Sequence, residues 1–245
     1  MVLVPRLILS LFLFAICSFL GILYTLCRPF HPSNCNIIGR LLGNTLLPVL
    51  GIKHRIYEPH FLNDHRPCVF VSNHQDSLDV FSFGKIVPKR TVSLGKKSIK
   101  YIPFFGQFYW LAGNIMIDRK NNKSALNTME EAARAITNRN TSVWVMPEGT
   151  RNRGRGVMRF KKGAFFTAIQ AQCPIIPVAC SSNHRNVDLT KLNAGHIWFR
   201  VLPPLETKGL TSKDATELTL RCHDLIKAEV AKLDQEIAAH RGENT

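Results

Sequence analysis

Apolar residues fall along the chain in three patterns. The first is one long run, Leu7 to Cys27, with no charged residue and with Arg6 and Arg28 at its flanks. As a helix it extends about 30 Å, the thickness of a bilayer core. A cleaved secretory signal has a shorter apolar core and a small-x-small site. Tyr24-Thr25-Leu26-Cys27 offers no such site, so the run is expected to be a retained membrane anchor. A second apolar segment, Ile37 to Ile52, carries Arg40, Asn44 and Pro48. It reads either as an interfacial or re-entrant helix beside the first or as the opening helix of the domain that follows.

Beyond residue 53 the second and third patterns alternate. Short apolar runs read as buried strands at Cys68–Val71, Ser142–Met146, Pro174–Cys180 and Ile197–Leu202, with shorter ones at Thr91–Leu94 and Asn114–Ile117. Amphipathic stretches with apolar residues at three- and four-residue steps predict helices over Ser124–Asn138, Lys162–Gln172 and Asp214–His240. Strands alternating with helices predict an α/β fold, a mostly parallel sheet flanked by helices. The expected division is an N-terminal membrane-embedded helical motif over 1–52 and an α/β domain over 53–245. Ligands of such sheets bind beyond the carboxyl ends of the strands, which directs attention to the residues just after each apolar run.

Composition narrows the partners. The 245 residues include 32 Lys+Arg and 17 Asp+Glu, a formal charge of +15. Such an excess favours nucleic acid, anionic lipid or a phosphorylated small molecule. The apolar amino-terminal run and the lack of a basic motif interleaved with aromatics disfavour nucleic acid. Seven cysteines contain no CxxC pair, so neither a zinc site nor a redox motif is indicated, and reduced buried thiols are expected.

Four blocks carry candidate chemistry. Just past the first predicted strand lie His74 and, five residues on, Asp79. Five helical residues turn about 500°, so the two meet only if His74 sits in the loop and Asp79 on the first turn of a following helix. Paired, they form a general base: the imidazole accepts a proton, and the carboxylate fixes its tautomer and stabilises the imidazolium. Asp76 is a rival partner, and chance pairing of a histidine with an aspartate is common. The second block, Met146-Pro147-Glu148-Gly149-Thr150-Arg151, also follows a strand. Its glycine allows close backbone approach and its arginine presents a planar fork to phosphate. Arg151, Arg153, Arg155, Arg159, Lys161 and Lys162 follow with no acid among them; Arg153 and Arg155 read as solvated or as contacts to anionic headgroups. Gly113 to Arg119 and the proline-bearing strand at 174–178 are the third and fourth blocks, each weak alone.

In this order, His-x4-Asp, Gly-x4-Asp-Arg, Glu-Gly-Thr-Arg and an apolar proline-containing strand resemble the glycerolipid acyltransferase family, and within it the bacterial enzymes that acylate lysophosphatidic acid. The stretch from Gly95-Lys96-Lys97 to Ile102-Pro103-Phe104-Phe105-Gly106 and the amino-terminal anchor extend the resemblance over essentially the whole chain. It implies His74 as general base and Asp79 as its partner. It implies Glu148, Gly149, Thr150 and Arg151 as binders of the glycerol phosphate, Arg151 on the phosphate itself. Gly113, Asp118 and Arg119 would shape that acceptor site, Lys96 (less readily Lys97) would approach the phosphate, and Pro177 would build the acyl-donor side. It implies no metal or cofactor, with acyl-CoA or acyl-acyl carrier protein as co-substrate, lysophosphatidic acid as acceptor, anionic lipids as surroundings, and a catalytic domain on the cytoplasmic face of the inner membrane. The alternatives are another acceptor, such as glycerol-3-phosphate or a different lysophospholipid, and a non-catalytic tether for anionic lipid, which would need neither His74 nor Asp79.

Overall fold

In the computed structural model, which describes residues 2–118 and 122–243, the chain forms seven strands and nine helices among the described residues. Their order is α1 (Leu3–Cys27), α2 (Asn34–Val49), β1 (Ile52–Tyr57), α3 (Phe61–Asp64), β2 (Val69–Ser72), α4 (Asp79–Ile86) and β3 (Thr91–Lys96). A 3₁₀ turn (Lys97–Tyr101) leads to α5 (Phe105–Leu111), β4 (Ile115–Ile117), α6 (Asn122–Arg139), β5 (Ser142–Val145) and α7 (Gly163–Ala171). Then come β6 (Ile175–Cys180), α8 (Asn183–Asn186), β7 (Gly195–Val201) and α9 (Ala215–Gly242).

The strands make one sheet in the order β1-β7-β6-β2-β5-β3-β4. Five of its six pairings are parallel, as the alternation of strands and helices predicts; β6 and β7 are antiparallel. Between β6 and β7 lie only α8 and a loop, with no crossover helix to return the chain to the same end of the sheet, so β7 runs back beside β6. The first strand, β1, is absent from the sequence-based expectations for a physical reason. It is an edge strand whose Ile-Lys-His-Arg-Ile-Tyr carries three basic side chains and buries only Ile52 fully, so it shows no apolar run.

Alternate side chains of the central strands feed two cores. Val69, Val71, Val143, Val145 and Ile175 pack under α6, α7 and α9. Phe70, Trp144, Ile176, Val178 and Phe199 pack under α2 and α4 with Phe83 and Leu47. The α2–α4 contact is made at backbone distance: a Cβ on Gly39 would lie 2.5 Å from the carbonyl oxygen of Gly84. Backbone cannot yield as a flexible side chain can. Gly39→Ala is therefore expected to force the helices apart at a cost of about 1–3 kcal/mol, lowering the thermal midpoint by roughly 2–10 °C in a calorimetric or fluorescence melt.

Helix α1 is inside out for a soluble protein. The residues it buries are Arg6, Ser10, Cys17, Ser18, Gly21 and Thr25, while Leu7, Ile8, Leu11, Phe12, Phe19 and Leu23 are exposed. Arg6 donates to the carbonyls of Leu189, Lys191 and Leu192, Phe14 packs on Phe81 and Phe105, and Gly21 abuts Ile38 and Phe108. The helix is thus docked along its length. Its apolar outer face continues onto Phe104, which meets Phe19 edge-on, and onto exposed Ile102, Trp110 and Phe30. Polar side chains face the protein and leucines face outward, the arrangement of a helix solvated by lipid.

Candidate active site

The carboxyl end of β2 is clamped before the chemistry begins. Asn73 exchanges two 2.9 Å bonds with the backbone of Cys180 in β6, and the Trp144 indole donates to Ser72 Oγ. His74 follows in the loop, and α4 begins at Asp79, the strand–loop–helix transition the spacing requires. Its Nδ1 lies 2.6 Å from Asp79 Oδ2. The rival Asp76 is occupied elsewhere: its Oδ1 accepts the backbone N–H of Leu78, closing the turn into the helix. Asp79 is 2% exposed and also accepts the Gln75 N–H at 2.6 Å. Burial pushes its carboxyl above the usual range, while the bond and charge of His74 and the Gln75 amide pull it back.

The loop after β5 lies against this turn. Asn152 N–H donates to His74 O and Arg153 N–H to Gln75 O. Gly149 adopts φ +72°, and a Cβ there would meet the Lys161 side chain at 3.0 Å. Glu148 is buried, and its two oxygens accept different backbone amides, Oε1 that of His74 at 2.7 Å and Oε2 that of Met158 at 3.2 Å. Burial raises its pKa to about 7, against the two amide bonds that favour the ionised form.

His74 and Asp79 line a cavity of about 510 Å³, within the usual range for ligand sites. Lys96, Thr150 and Arg151 line it too, and all three are exposed. Its other walls are apolar: Leu42, Phe83 and Val87 from the α2–α4 side, Ile99, Phe105 and Phe108 from the α5 side, with Trp144. Ile102 belongs both to this wall and to the exposed apolar face. Its lining also includes a hydrogen-bonded group in which the Cys35 thiol, the Ser93 hydroxyl and the Ser93 amide all donate to Asn114 Oδ1.

Of the remaining predicted residues, those that are described lie outside the lining of this cavity. Gly113 lines a second cavity of about 360 Å³ beside Phe30, Trp110 and Arg139. Pro177 sits inside β6, paired with Val71, and lines neither cavity. Asp118 follows β4 outside both linings, and Lys97 opens the 3₁₀ turn outside them. Arg119 lies outside the described residues. Conversely, no local pattern points to Gln75 and Asn183. Gln75 Nε2 donates to Ser181 O and its Oε1 accepts the Asn183 N–H, ties created by β6 ending beside β2.

An imidazole–carboxylate pair, cationic groups and apolar walls meet in one cavity, an arrangement suited to a transferase that activates a hydroxyl beside an anionic group. Residues 53–181 match the family model described as Acyltransferase. The chain is 43% identical over 237 residues to a 1-acyl-sn-glycerol-3-phosphate acyltransferase of Haemophilus influenzae, covering 94% of this chain and 98% of that one. It is 36% identical over 233 residues to the enzyme of the same name from Escherichia coli K12, covering 95% of each. The crystal structure of the 1-acyl-sn-glycerophosphate acyltransferase from Thermotoga maritima has the same fold, with a TM-score of 0.74 at 20% identity, over 95% of this chain and 98% of that one. The chain belongs to the bacterial 1-acyl-sn-glycerol-3-phosphate acyltransferase family.

Proposed function

We propose that this enzyme makes phosphatidic acid by transferring a fatty acyl chain from a thioester to the sn-2 hydroxyl of 1-acylglycerol-3-phosphate, with His74 as the general base. The observation that carries this reading is the 2.6 Å His74–Asp79 contact, lining one cavity together with Lys96, Thr150 and Arg151. Asp79 holds Nδ1, which leaves Nε2 to accept the hydroxyl proton as the oxygen attacks the thioester carbonyl. A C–O bond forms and the carbonyl becomes an oxyanion. Its collapse breaks the C–S bond, and the imidazolium returns the proton to the leaving thiolate. No covalent acyl-enzyme is needed, because the acceptor supplies its own nucleophile.

Arg151 and Lys96 are the phosphate ligands in this scheme, and the apolar walls take acyl chain. The donor is acyl-CoA or acyl-acyl carrier protein, both anionic and suited to a strongly basic protein. The exposed face of α1, with Ile102, Phe104 and Trp110, embeds in the bilayer as part of an amino-terminal membrane motif over 1–52. The α/β domain then lies on the cytoplasmic side, in keeping with seven free cysteines. Ile102 is exposed beside the outer face of α1 and also lines the cavity, and this is the side from which lysophosphatidic acid enters laterally without passing through water.

Production of phosphatidic acid by the purified protein in vesicles, with each donor in turn, tests the reading. Equal or greater acylation of glycerol-3-phosphate, or of a lysophospholipid lacking a terminal phosphate, would overturn the acceptor assignment. Arg151→Ala is expected to raise the KM for lysophosphatidic acid about 10- to 100-fold, the loss of a charge-assisted bond worth about 1.5–3 kcal/mol. An unchanged KM would remove Arg151 from the phosphate site.

A further inference from the structure

Asp79 needs donors. A carboxylate this deeply buried is stable in its ionised form only while hydrogen bonds replace its lost water. Oδ2 has two donors, His74 Nδ1 and the Gln75 amide, both at 2.6 Å. Oδ1 faces a different element. The amide nitrogen of Asn183, in α8 after β6, lies 3.4 Å from Asp79 Oδ1 and 3.1 Å from Asp76 Oδ1. Asn183 is 2% exposed, and its own side-chain oxygen has no partner. The orientation of the amide follows: the reverse flip would aim that oxygen at two carboxylates. The side chain is therefore held for its NH₂ group alone.

Asn183 is held from two directions. Its backbone N–H donates to Gln75 Oε1 at 2.8 Å, which ties it to the residue after His74. The short helix α8 is fastened to the carboxyl-terminal helix by Asp234. The two Asp234 oxygens accept Ser182 N–H at 2.8 Å, Ser182 Oγ–H at 2.6 Å and the Asn186 side chain at 2.7 Å. Asn183 and Asp234 both fall outside residues 53–181, the span of the family model.

We infer that Asn183 is a positioning residue for the base, donating to Asp79 so that its carboxylate stays aligned with His74, and that Asp234 of α9 acts through Asn183 as its anchor. Ser182, Asn183 and Asp234 then form a series linking the carboxyl-terminal helix to the chemical step, without contact to substrate. The inference rests on the His74–Asp79 reading of the site.

A series predicts non-additivity, which a general structural role does not. In full-length enzyme in vesicles, Asn183→Ala is expected to lower kcat about 10- to 100-fold, the range for loss of a bond to a buried charge. Its Kd and binding stoichiometry for lysophosphatidic acid should stay within about twofold of the parent. Asp234→Asn keeps the shape of the side chain and should lower kcat about 3- to 10-fold, a weaker effect because one acceptor oxygen remains. The double variant should be no slower than Asn183→Ala alone. A kcat for Asn183→Ala within about twofold of the parent overturns the inference, as does a double variant whose losses multiply. If Asn183→Ala loses binding stoichiometry through misfolding, Asp234→Asn decides: full binding with a parental kcat overturns the series. His74→Ala run alongside separates the two levels. Turnover retained there displaces the base itself, whereas an inactive His74→Ala beside a parental Asn183→Ala removes only the role of Asn183.

Discussion

Replacing His74 by alanine is expected to lower kcat by about 10²- to 10⁴-fold while the affinity for lysophosphatidic acid changes by less than about twofold. The imidazole is the group in the cavity whose second nitrogen is left for proton transfer once Asp79 occupies Nδ1, and it is 18% exposed, open enough to meet a hydroxyl. Lys96, Thr150 and Arg151, which would hold the phosphate, come from other segments of the chain and do not depend on the ring. The loss therefore belongs to kcat. Asp79→Asn should approach the same loss. An asparagine is neutral and cannot stabilise the imidazolium, and whichever way it is flipped its NH₂ confronts a donor, the Gln75 amide at one position or the Asn183 side chain at the other. Steady-state kinetics in vesicles, with binding measured separately by calorimetry, checks both. A His74→Ala enzyme within about tenfold of the parent would place the base elsewhere.

The second large effect concerns Glu148, which the resemblance places on the glycerol phosphate and the geometry places behind the base. Its two oxygens accept the amides of His74 and Met158, so it joins the turn carrying the base to the basic loop. We propose that it positions His74 through the backbone. Glu148→Gln offers one acceptor where two are needed, and its NH₂ group confronts the second amide donor. A fall in kcat of about 10- to 100-fold is expected, since an unmet buried amide costs about 1–3 kcal/mol. The same residue predicts a pH dependence of stability. Its folded pKa of about 7 lies above the ordinary value of 4.5. Between those values the native state binds more protons than the unfolded chain, so this residue's contribution to stability is present below 4.5 and lost as the pH rises through 7. The Glu148→Gln side chain does not titrate and contributes no such dependence. The difference in thermal midpoint, Glu148→Gln minus parent, should therefore become more positive from about pH 5 to about pH 8. A constant difference would show that burial does not hold the carboxyl high. Activity runs the other way, because the ionised form makes both bonds.

Much of the fold is legible in the chain because parallel strands buried on both faces must be apolar throughout. β2, β5 and β6 announce themselves in this way, and the long helices α6 and α9 by their periodicity. β1 is silent because an edge strand buries too little. The antiparallel turn of β7 is silent because it depends on the missing crossover helix, not on strand composition. At the site, His74 and Asp79 are legible because a strand-to-helix transition is a local event that fixes what five residues can do. Gly113 and Pro177 show the opposite case. Their motifs are plain in the chain, but the turn before β4 places Gly113 on the second cavity and β6 places Pro177 in the sheet interior.

From the chain alone follow the α/β class, the apolar amino-terminal helix, a histidine just past an apolar strand with two candidate carboxylates, and the basic loop after β5. Each depends on residues close in sequence or on composition. Folding alone decides that Asp76 caps a turn while Asp79 meets the imidazole, that Glu148 grips two backbone amides, and that Asn183 arrives from 104 residues away to donate to Asp79. The contacts of Glu148 with His74 and of Asn183 with Asp79 join separate strand ends across the sheet. Their partners are set by strand order and by the demand that every buried polar group find a mate, and neither is written in any local stretch of sequence.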